Sequence, residues 1–347
     1  MPFREILGQD RVVSLLRRTW RSGRLGQAYC FSGPAGVGKR TTALALAQAV
    51  NCLAPVGLAG GEGEPDACGV CRSCRKIAAG QHPDVAVVTP EDKTVISIEQ
   101  IRDLTARASL CAYEGTTKVW ILDPADQMQE PAANAFLKTL EEPSGRSLFL
   151  LVTPAVNALL PTIHSRCQEV RFDLLGEAAL RTILVRQGRG PDEAAAAAAL
   201  AGGSAERALT LDPAEASAAR ETLIAEWREA LGSLPRLLDF GERYANDRAR
   251  LETDLDALQE VVRDLALVAA GGEATDLLPP ERRAAVSGWA GAVTLEVALR
   301  LHETVTEARW AMLRKGQPRL VADRMLLRMR DAISKRRQDG HDADRAR

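Results

Sequence analysis

The chain is poor in aromatic residues, in net charge and in long apolar runs, and each shortage excludes a class of protein. Aromatic residues make up 4% of the 347 residues, and the abundance of Ala and Leu favours a helix-rich fold. The formal net charge is −1, which argues against a protein that binds nucleic acid strongly by itself. No stretch reaches the roughly 18 apolar residues of a membrane helix, and the N-terminus lacks the apolar core of a signal peptide. A cytoplasmic protein without a membrane anchor is therefore expected.

Cysteine is also scarce, yet four of the seven cysteines are grouped. Cys52 is followed after fifteen residues by Cys68, and Cys71 and Cys74 come at steps of three. Four thiolates are the ligand set of a closed tetrahedral zinc site with a structural role. An iron–sulfur cluster is the alternative, and zinc is favoured because the chain shows no redox motif. The remaining cysteines are predicted to be packing residues: Cys30, Cys111 and Cys167.

A glycine-rich segment, Gly33-Pro-Ala-Gly-Val-Gly-Lys39, follows a predicted strand and opens a predicted helix. This is the context that a phosphate-binding loop requires. Its glycines, Gly33, Gly36 and Gly38, allow backbone amides to surround phosphate oxygens, and Lys39 would neutralise the outer phosphates. The alternative interpretation is a glycine-rich turn that binds nothing.

Two residues depart from the pattern of an ATP-hydrolysing site. Arg40 stands where a Ser or Thr hydroxyl would bind Mg²⁺, and Thr41 is one residue, about 100° of helix, out of register. Asp123 ends a predicted strand at a magnesium position, but the next residue, which usually orients the attacking water, is Pro124. Proline has no titratable group and cannot act as a base. Hydrolysis at this chain's own site is therefore not expected, and binding of ATP or ADP is left open.

The pattern of apolar residues changes near residue 173. Before that point short apolar runs alternate with helical patterns, which predicts an α/β domain with a buried parallel sheet. After it the pattern is helical, which predicts an all-α remainder. The strands are predicted at Ala28–Ser32, Val85–Val88, Val119–Leu122, Leu148–Val152 and Glu169–Phe172, and helices at 41–50 and at 134–142, the latter ended by Pro143. The predicted domains are 1–173 with a cysteine insertion at 52–74, a small helical domain at 174–211, a larger one at 212–335 and a charged tail at 336–347.

Five further segments, together with the cysteine cluster, resemble the bacterial clamp-loader family of the AAA+ superfamily. They are the N-terminal Phe3–Gln9, the helix and proline at Ala132–Pro143, Thr153 at the sensor-1 position, Ser165-Arg166-Cys167, and residues 202–209 with Arg207 at the sensor-2 position. The resemblance is strong over about the first 211 residues. It implies an AAA+ P-loop domain with a zinc module, a small helical lid and a C-terminal helical collar.

The resemblance also implies roles for individual residues. Arg166 would be an arginine finger that acts in trans on ATP bound by a neighbouring subunit. A degenerate nucleotide site would comprise Gly33, Gly36, Gly38, Lys39, Thr41, Asp123, Thr153 and Arg207, and the zinc ligands would be Cys52, Cys68, Cys71 and Cys74.

The departures at Arg40 and Pro124 resemble the delta-prime, or stator, branch of this family more than its gamma and tau motor subunits. That branch implies a hetero-oligomeric ring with gamma/tau and delta subunits, within the DNA polymerase III holoenzyme. The sliding clamp and primer–template DNA would be contacted through the assembly, and no independent enzyme activity is expected. Two alternatives are an ATP-hydrolysing motor of the gamma/tau type and a zinc-containing AAA+ homohexamer that remodels nucleic acid.

Overall fold

The structure is a computed structural model. It describes residues 1–57, 63–91, 95–142, 145–154, 156–271, 278, 283, 286, 289 and 293–345, without the side chains of residue 158 and of residues 335–345. Part of the predicted cysteine insertion, at 58–62, and Pro143 therefore lie outside the described residues. The chain divides into two compact units, one with residues 1–187 and 203–207, the other with residues 188–202 and the chain from 208 onward.

The first unit contains a five-stranded parallel sheet with the strand order β2-β3-β4-β1-β5. Its strands are β1 (Ala28–Ser32), β2 (Val85–Val88), β3 (Lys118–Leu122), β4 (Ser147–Thr153) and β5 (Gln168–Arg171). The carboxyl ends of β1, β3 and β4 meet at one edge of the sheet, which is where ligand sites form in open parallel sheets. The predicted buried parallel sheet is confirmed.

Helices cover both faces of this sheet because every central strand is apolar on both sides. In β1, Tyr29 and Phe31 enter one core cluster and Cys30 enters the other. The first cluster packs under α1 (Asp10–Arg21), α2 (Lys39–Asn51) and α3 (Arg72–Ala78). The second packs under α4 (Ile98–Ala108), α5 (Glu130–Glu141) and α6 (Pro161–His164). This two-sided burial explains why the strands are continuous apolar runs.

The second unit is built from helices, as predicted for an all-α remainder. Its helices are α8 (Pro191–Leu200), α10 (Pro213–Ala230), α11 (Leu234–Glu242), α12 (Arg248–Ala269), α13 (Leu295–Leu313) and α14 (Pro318–Arg345), whereas α7 (Glu177–Arg186) and the start of α9 (Ala205–Thr210) belong to the first unit. Among the described residues of this unit, Trp227 and Tyr244 are the largest fully buried side chains. Among the helices described, none is long and apolar enough to cross a membrane. The predicted domain boundaries stay predictions.

A buried carboxylate joins the segment before β2 to the loop before β3. Asp84 is only 4% exposed and accepts hydrogen bonds from the backbone N–H groups of Tyr113, Glu114 and Gly115 at 2.7, 2.8 and 2.8 Å. Burial raises the pKa of Asp84, but these hydrogen bonds outweigh it and hold the pKa below its ordinary value. Asp84 therefore stabilises the first unit as an anion.

The same segment is connected to the cysteine insertion through His82. The Nδ1 atom of His82 accepts from the backbone N–H of Asp84 at 3.2 Å, so Nε2 carries the proton and donates to Ser73 Oγ at 3.1 Å. Ser73 lies in α3 beside Cys74. The hydrogen bonds of His82 thus fix the helix that carries the last cysteine of the cluster.

Asp84→Asn is expected to lower the free energy of unfolding at pH 7 by about 2–4 kcal/mol, because an amide nitrogen would face backbone N–H donors. A carboxylate with a depressed pKa stabilises the fold above its unfolded pKa, and that contribution is lost as pH falls through the folded pKa. The deficit should therefore shrink below about pH 4. Urea unfolding followed by tryptophan fluorescence, at pH 7 and at acidic pH, measures the loss of stability and its dependence on pH.

The matched control for this prediction is Asp103→Asn. The Asp103 carboxylate is exposed and pairs with Arg107 one helical turn away at 3.3 Å, an arrangement that contributes little. Equal effects of the two substitutions at pH 7 would contradict the assigned role of Asp84.

Candidate functional site

The predicted phosphate-binding loop connects β1 to α2 at the carboxyl edge of the sheet, and its three glycines have positive φ angles. Gly36 has φ of 72°, and its carbonyl accepts a hydrogen bond from the backbone N–H of Ala205 at 2.8 Å. A Cβ atom at Gly36 would lie 2.0 Å from Ser204 Oγ. Glycine is therefore required where the loop meets the segment that begins α9.

The N-terminal segment also contacts this loop. Gln9, which is 4% exposed, donates from Nε2 to the carbonyl of Val37 at 3.3 Å and to that of Asp173 at 2.7 Å. The segment Phe3–Gln9, which resembles a family signature, thus links the loop to the end of the predicted P-loop domain.

Lys39 is the first residue of α2, and its side chain is buried over the loop. Its Nζ donates to the carbonyls of Gly33 and Pro34 at 2.6 and 2.5 Å. Burial lowers the pKa of Lys39, while the nearby carboxylates of Asp123 and Asp126 raise it. The ammonium group of Lys39 therefore lies within the predicted phosphate-binding loop, where it would contact a bound phosphate.

Arg40 forms an ion pair with Asp123, the carboxylate predicted for magnesium, at 3.7 Å between Nη1 and Oδ2. The Asp123 side chain is 19% exposed and that of Arg40 is 53% exposed. Burial raises the pKa of Asp123, and Arg40 and Lys39 oppose that rise. Thr41 lies half-buried in the first turn of α2. A cation thus stands beside the position where Mg²⁺ would bind, and it would repel a second cation.

A second carboxylate, which the sequence did not single out, lies close to the loop. Asp126 accepts a hydrogen bond at 3.0 Å from the hydroxyl of Thr153, the buried residue at the end of β4. Burial raises the pKa of Asp126. Its sequence signal is its place three residues after Asp123, on the segment that leaves β3. The predicted sensor-1 position is therefore occupied by a hydroxyl fixed to an acidic group.

Arg207, predicted at the sensor-2 position, is half-buried in the first turn of α9. Its backbone N–H donates to Ser204 Oγ at 3.3 Å. Because Ser204 and Ala205 contact the loop at Gly36, the structure places the start of this helix against the phosphate-binding segment.

The four grouped cysteines converge as predicted. Their sulfur atoms all lie within 4.8 Å of one another, and ligands of a tetrahedral zinc ion with Zn–S bonds of about 2.3 Å lie roughly 3.8 Å apart. Cys52 directly follows α2, Cys71 is the N-cap residue of α3, and Cys74 lies in that helix. The cluster can therefore hold a zinc ion through four thiolates.

Backbone N–H groups point at these sulfur atoms. Cys68 N donates to Cys52 Sγ at 3.2 Å, and Cys71 N donates to Cys68 Sγ at 3.3 Å. Burial opposes ionisation of Cys71, but hydrogen bonds from the backbone of Cys74 and Leu53 and from neighbouring thiols lower its pKa to about 6. Such donors stabilise a thiolate, the form that binds metals.

An acidic residue fixes the cysteine insertion to the N-terminal segment. Asp66 is 3% exposed and accepts from the backbone N–H groups of Phe3 and Arg4 at 2.8 and 2.9 Å. Arg4 in turn donates to the carbonyls of Ala67 and Cys68 at 2.8 and 3.0 Å. These contacts hold the residues next to Cys68 against the N-terminal segment.

The remaining cysteines differ from one another. Cys30 and Cys167 pack against the second core cluster, and burial raises the pKa of each to about 12. Cys111 is exposed, so the prediction that it packs is wrong. It lies in the loop after α4, whose neighbouring apolar side chains, Leu110 and Tyr113, are exposed as well.

Arg166 lies between α6 and β5, at the edge of the sheet opposite the phosphate-binding loop. β5 runs parallel to β1, with Gln168 opposite Tyr29 and Arg171 opposite Ser32. Arg166 precedes the amino end of β5, whereas Gly33 follows the carboxyl end of β1. The paired strand segment alone separates them by about 10 Å. Arg166 and the phosphate-binding loop of the same chain therefore lie at opposite ends of the paired strands.

Comparisons with known proteins decide the family. Residues 8–175 match the family model described as "DNA polymerase III, delta subunit". The chain is 32% identical over 312 residues to DNA polymerase III subunit delta' of Bacillus subtilis, a match that covers 86% of this chain and 92% of that protein. The chain belongs to the DNA polymerase III subunit delta' family.

Two further relatives in sequence match about half of this chain. The delta' subunit of Pseudomonas aeruginosa is 44% identical over 182 residues, so the match spans 51% of this chain and about half, 53%, of that protein. The gamma/tau subunit of Mycobacterium tuberculosis is 34% identical over 184 residues, 53% of this chain and 31% of that protein. A solved gamma subunit-related protein from Thermotoga maritima aligns at 18% identity with a TM-score of 0.39, over 93% of this chain and 100% of that one.

The resemblance to the delta-prime branch is thereby confirmed, together with the α/β P-loop fold and its helical remainder. The roles assigned to Arg166, to the residues of the degenerate nucleotide site and to the cysteines stay predictions.

Proposed function

We propose that this chain acts as the stator of a DNA polymerase III clamp loader and supplies Arg166 to ATP bound by a neighbouring subunit. The observation that carries the proposal is the position of Arg166. It lies at the sheet edge opposite its own phosphate-binding loop, and its side chain is 34% exposed. A guanidinium so placed is available to a partner's nucleotide and remote from its own.

The chain's own loop is proposed to take no part in turnover. Arg40 forms an ion pair with Asp123, which should exclude a magnesium ion there, and Pro124 supplies no base. Whether ATP or ADP occupies the loop does not enter the mechanism. The loop residues Gly33, Gly36, Gly38, Lys39 and Thr41, with Asp123, Thr153 and Arg207, then form a degenerate site whose remaining contacts hold the fold together.

The cysteine cluster is proposed to hold a structural zinc ion. The ion would join the end of α2 to the start of α3 and so close the insertion between Cys52 and Cys74. The convergence of four sulfur atoms within 4.8 Å supports this role.

In the proposed mechanism the guanidinium of Arg166 stabilises negative charge on the phosphoryl group as it leaves ATP. Because the nucleotide belongs to another chain, hydrolysis depends on assembly: without the adjacent subunit no finger is present. The proposed partners are gamma/tau and delta subunits in a hetero-oligomeric ring, and the sliding clamp and primer–template DNA act through that ring.

ATP turnover tests the proposal. The isolated chain should show no ordinary turnover with Mg²⁺, whereas its addition to gamma/tau and delta subunits, with clamp and primed DNA, should raise turnover strongly. Phosphate release measures both. Ordinary turnover by the isolated chain would overturn the stator proposal in favour of a motor of the gamma/tau type. If the chain joins the assembly but does not raise its ATP turnover, the proposed role of Arg166 as an arginine finger is wrong.

A further inference from the structure

Arg166 is held by an acidic residue of helix α5. Its Nε donates to Glu141 Oε1 at 2.7 Å, and Nη2 donates to the same oxygen. On the other side of the guanidinium, Nη1 donates to the carbonyl of Thr162 at 2.9 Å and to Ser165 Oγ at 3.3 Å. These contacts fix the plane and the direction of the guanidinium group.

Glu141 is well placed to do this because its helix is rigid. It is the last residue of α5, which packs onto the sheet through Phe136 and Leu140. Phe136 is fully buried and lies against the ring of Phe149 at 5.4 Å between centroids. The helix from which the Glu141 side chain reaches Arg166 is therefore held by the core of the domain and not by the loop that carries Arg166.

The two edges of the Arg166 guanidinium have partners of different charge. The carboxylate engages the Nε side, whereas Nη1 meets two neutral oxygens, which are weaker partners than an anion. These four contacts use four of the five N–H groups of the guanidinium. A phosphate can therefore displace the neutral acceptors at Nη1 and approach the outer end while Glu141 still holds the Nε side.

We propose that Glu141 is a positioning residue for Arg166: it orders the guanidinium so that its outer end faces the neighbouring subunit's ATP. The proposal rests on the proposed function of Arg166 as a finger. Ordering matters because a free arginine must lose the freedom of several rotatable bonds before it can bind. The Glu141 charge also weakens the finger's attraction for phosphate, but the pair is half-exposed and water screens that effect.

The test compares Glu141→Gln with Glu142→Gln in the reconstituted complex with clamp and primed DNA. Glu142 is the adjacent residue, is exposed, and loses the same charge on substitution. Glu141→Gln is expected to lower kcat for ATP about tenfold with KM little changed, because ordering acts on the transition state more than on nucleotide binding. Glu142→Gln should stay within about twofold, and Glu141→Asp should recover part of the rate.

A double substitution separates positioning from general damage. In the Arg166→Ala background, Glu141→Gln should have no further effect, since no guanidinium remains to be ordered. An equal loss in both backgrounds, a rise in rate with Glu141→Gln, or equal rates for the two glutamate variants would overturn the role of Glu141. If instead Arg166→Ala itself leaves turnover unchanged, the proposed finger fails, and the two failures are thereby distinguished.

Discussion

Arg166→Ala in the assembled complex is expected to reduce hydrolysis at the adjoining ATP site by about 10³-fold or more, the scale typical of arginine fingers. The physical reason is that a finger's guanidinium stabilises charge on the transferring phosphoryl group, and the two cations of the phosphate-binding loop are too remote to replace it. Lys39 and Arg40 lie at the opposite edge, where they contact the loop and Asp123. In a rapid-quench experiment with ATP-loaded complex, the amplitude contributed by that one site should disappear, while the other sites keep their phase.

Two variants control for this prediction. Arg171→Ala removes an arginine five residues away, at the carboxyl end of β5, whose side chain is 80% exposed and pairs with Glu169 at 3.2 Å. It should leave the amplitude unchanged. Arg166→Lys keeps the charge but loses the planar fork, so most of the loss should remain. Equal losses for Arg166→Ala and Arg171→Ala, in complexes that assemble equally by gel filtration, would contradict the assignment.

Local patterns in the sequence predicted the elements that carry this site. The apolar runs that became β1, β3 and β4 are buried on both faces, so each stands out without knowledge of its neighbours. The glycines and lysine of the segment 33–39, and the spacing of the cysteines, likewise predict the loop and the cluster from neighbouring residues alone. A further local signal, the capping box of Ser97 and Gln100, is present in the structure and would have predicted α4.

The contacts that change the interpretation of the site are not local. Thr153 meets Asp126 only because β3 and β4 are neighbours in the sheet, which follows from strand order and not from spacing. The pair of Arg40 with Asp123 likewise joins a helix start to a distant strand end. Glu141 and Arg166 are 25 residues apart. Sequence motifs identified Arg40 and Asp123 but not their contact, and for Thr153 and Arg166 the structure supplied the partner.

These pairs explain how a degraded site can persist in a stable fold. Lys39 and Asp123, once freed from phosphate and metal, would be buried charges without partners, which is costly. Here Lys39 is bonded to loop carbonyls and Asp123 is paired with Arg40. In the proposed degenerate site, the arginine that stands in the way of magnesium would therefore also pair with the carboxylate that the ion would otherwise neutralise.

Cys71→Ser is expected to abolish stable metal binding and to destabilise the cysteine insertion. The substitution is informative because Cys71 is also the N-cap residue of α3, accepting from the backbone N–H of Cys74. Serine is a strong N-cap, so the helix start is preserved while one thiolate is lost. Structural zinc sites contribute about 10–16 kcal/mol of binding free energy in small domains. Purified Cys71→Ser protein should therefore carry far less than one zinc per chain by elemental analysis.

The insertion should respond in the same way to metal removal and to substitution. Treating the unaltered chain with a strong zinc chelator should expose residues 63–67 to proteolysis, and Cys71→Ser should do the same without chelator. Cys111→Ser makes the same chemical change at an exposed lone cysteine and should retain the metal and the protection. Iron with visible absorbance in place of zinc would show that the four thiolates hold an iron–sulfur cluster. Full zinc retention and protection in Cys71→Ser would show that the close approach of the sulfur atoms is packing, since a closed tetrahedral site does not survive the loss of one of its four ligands unchanged.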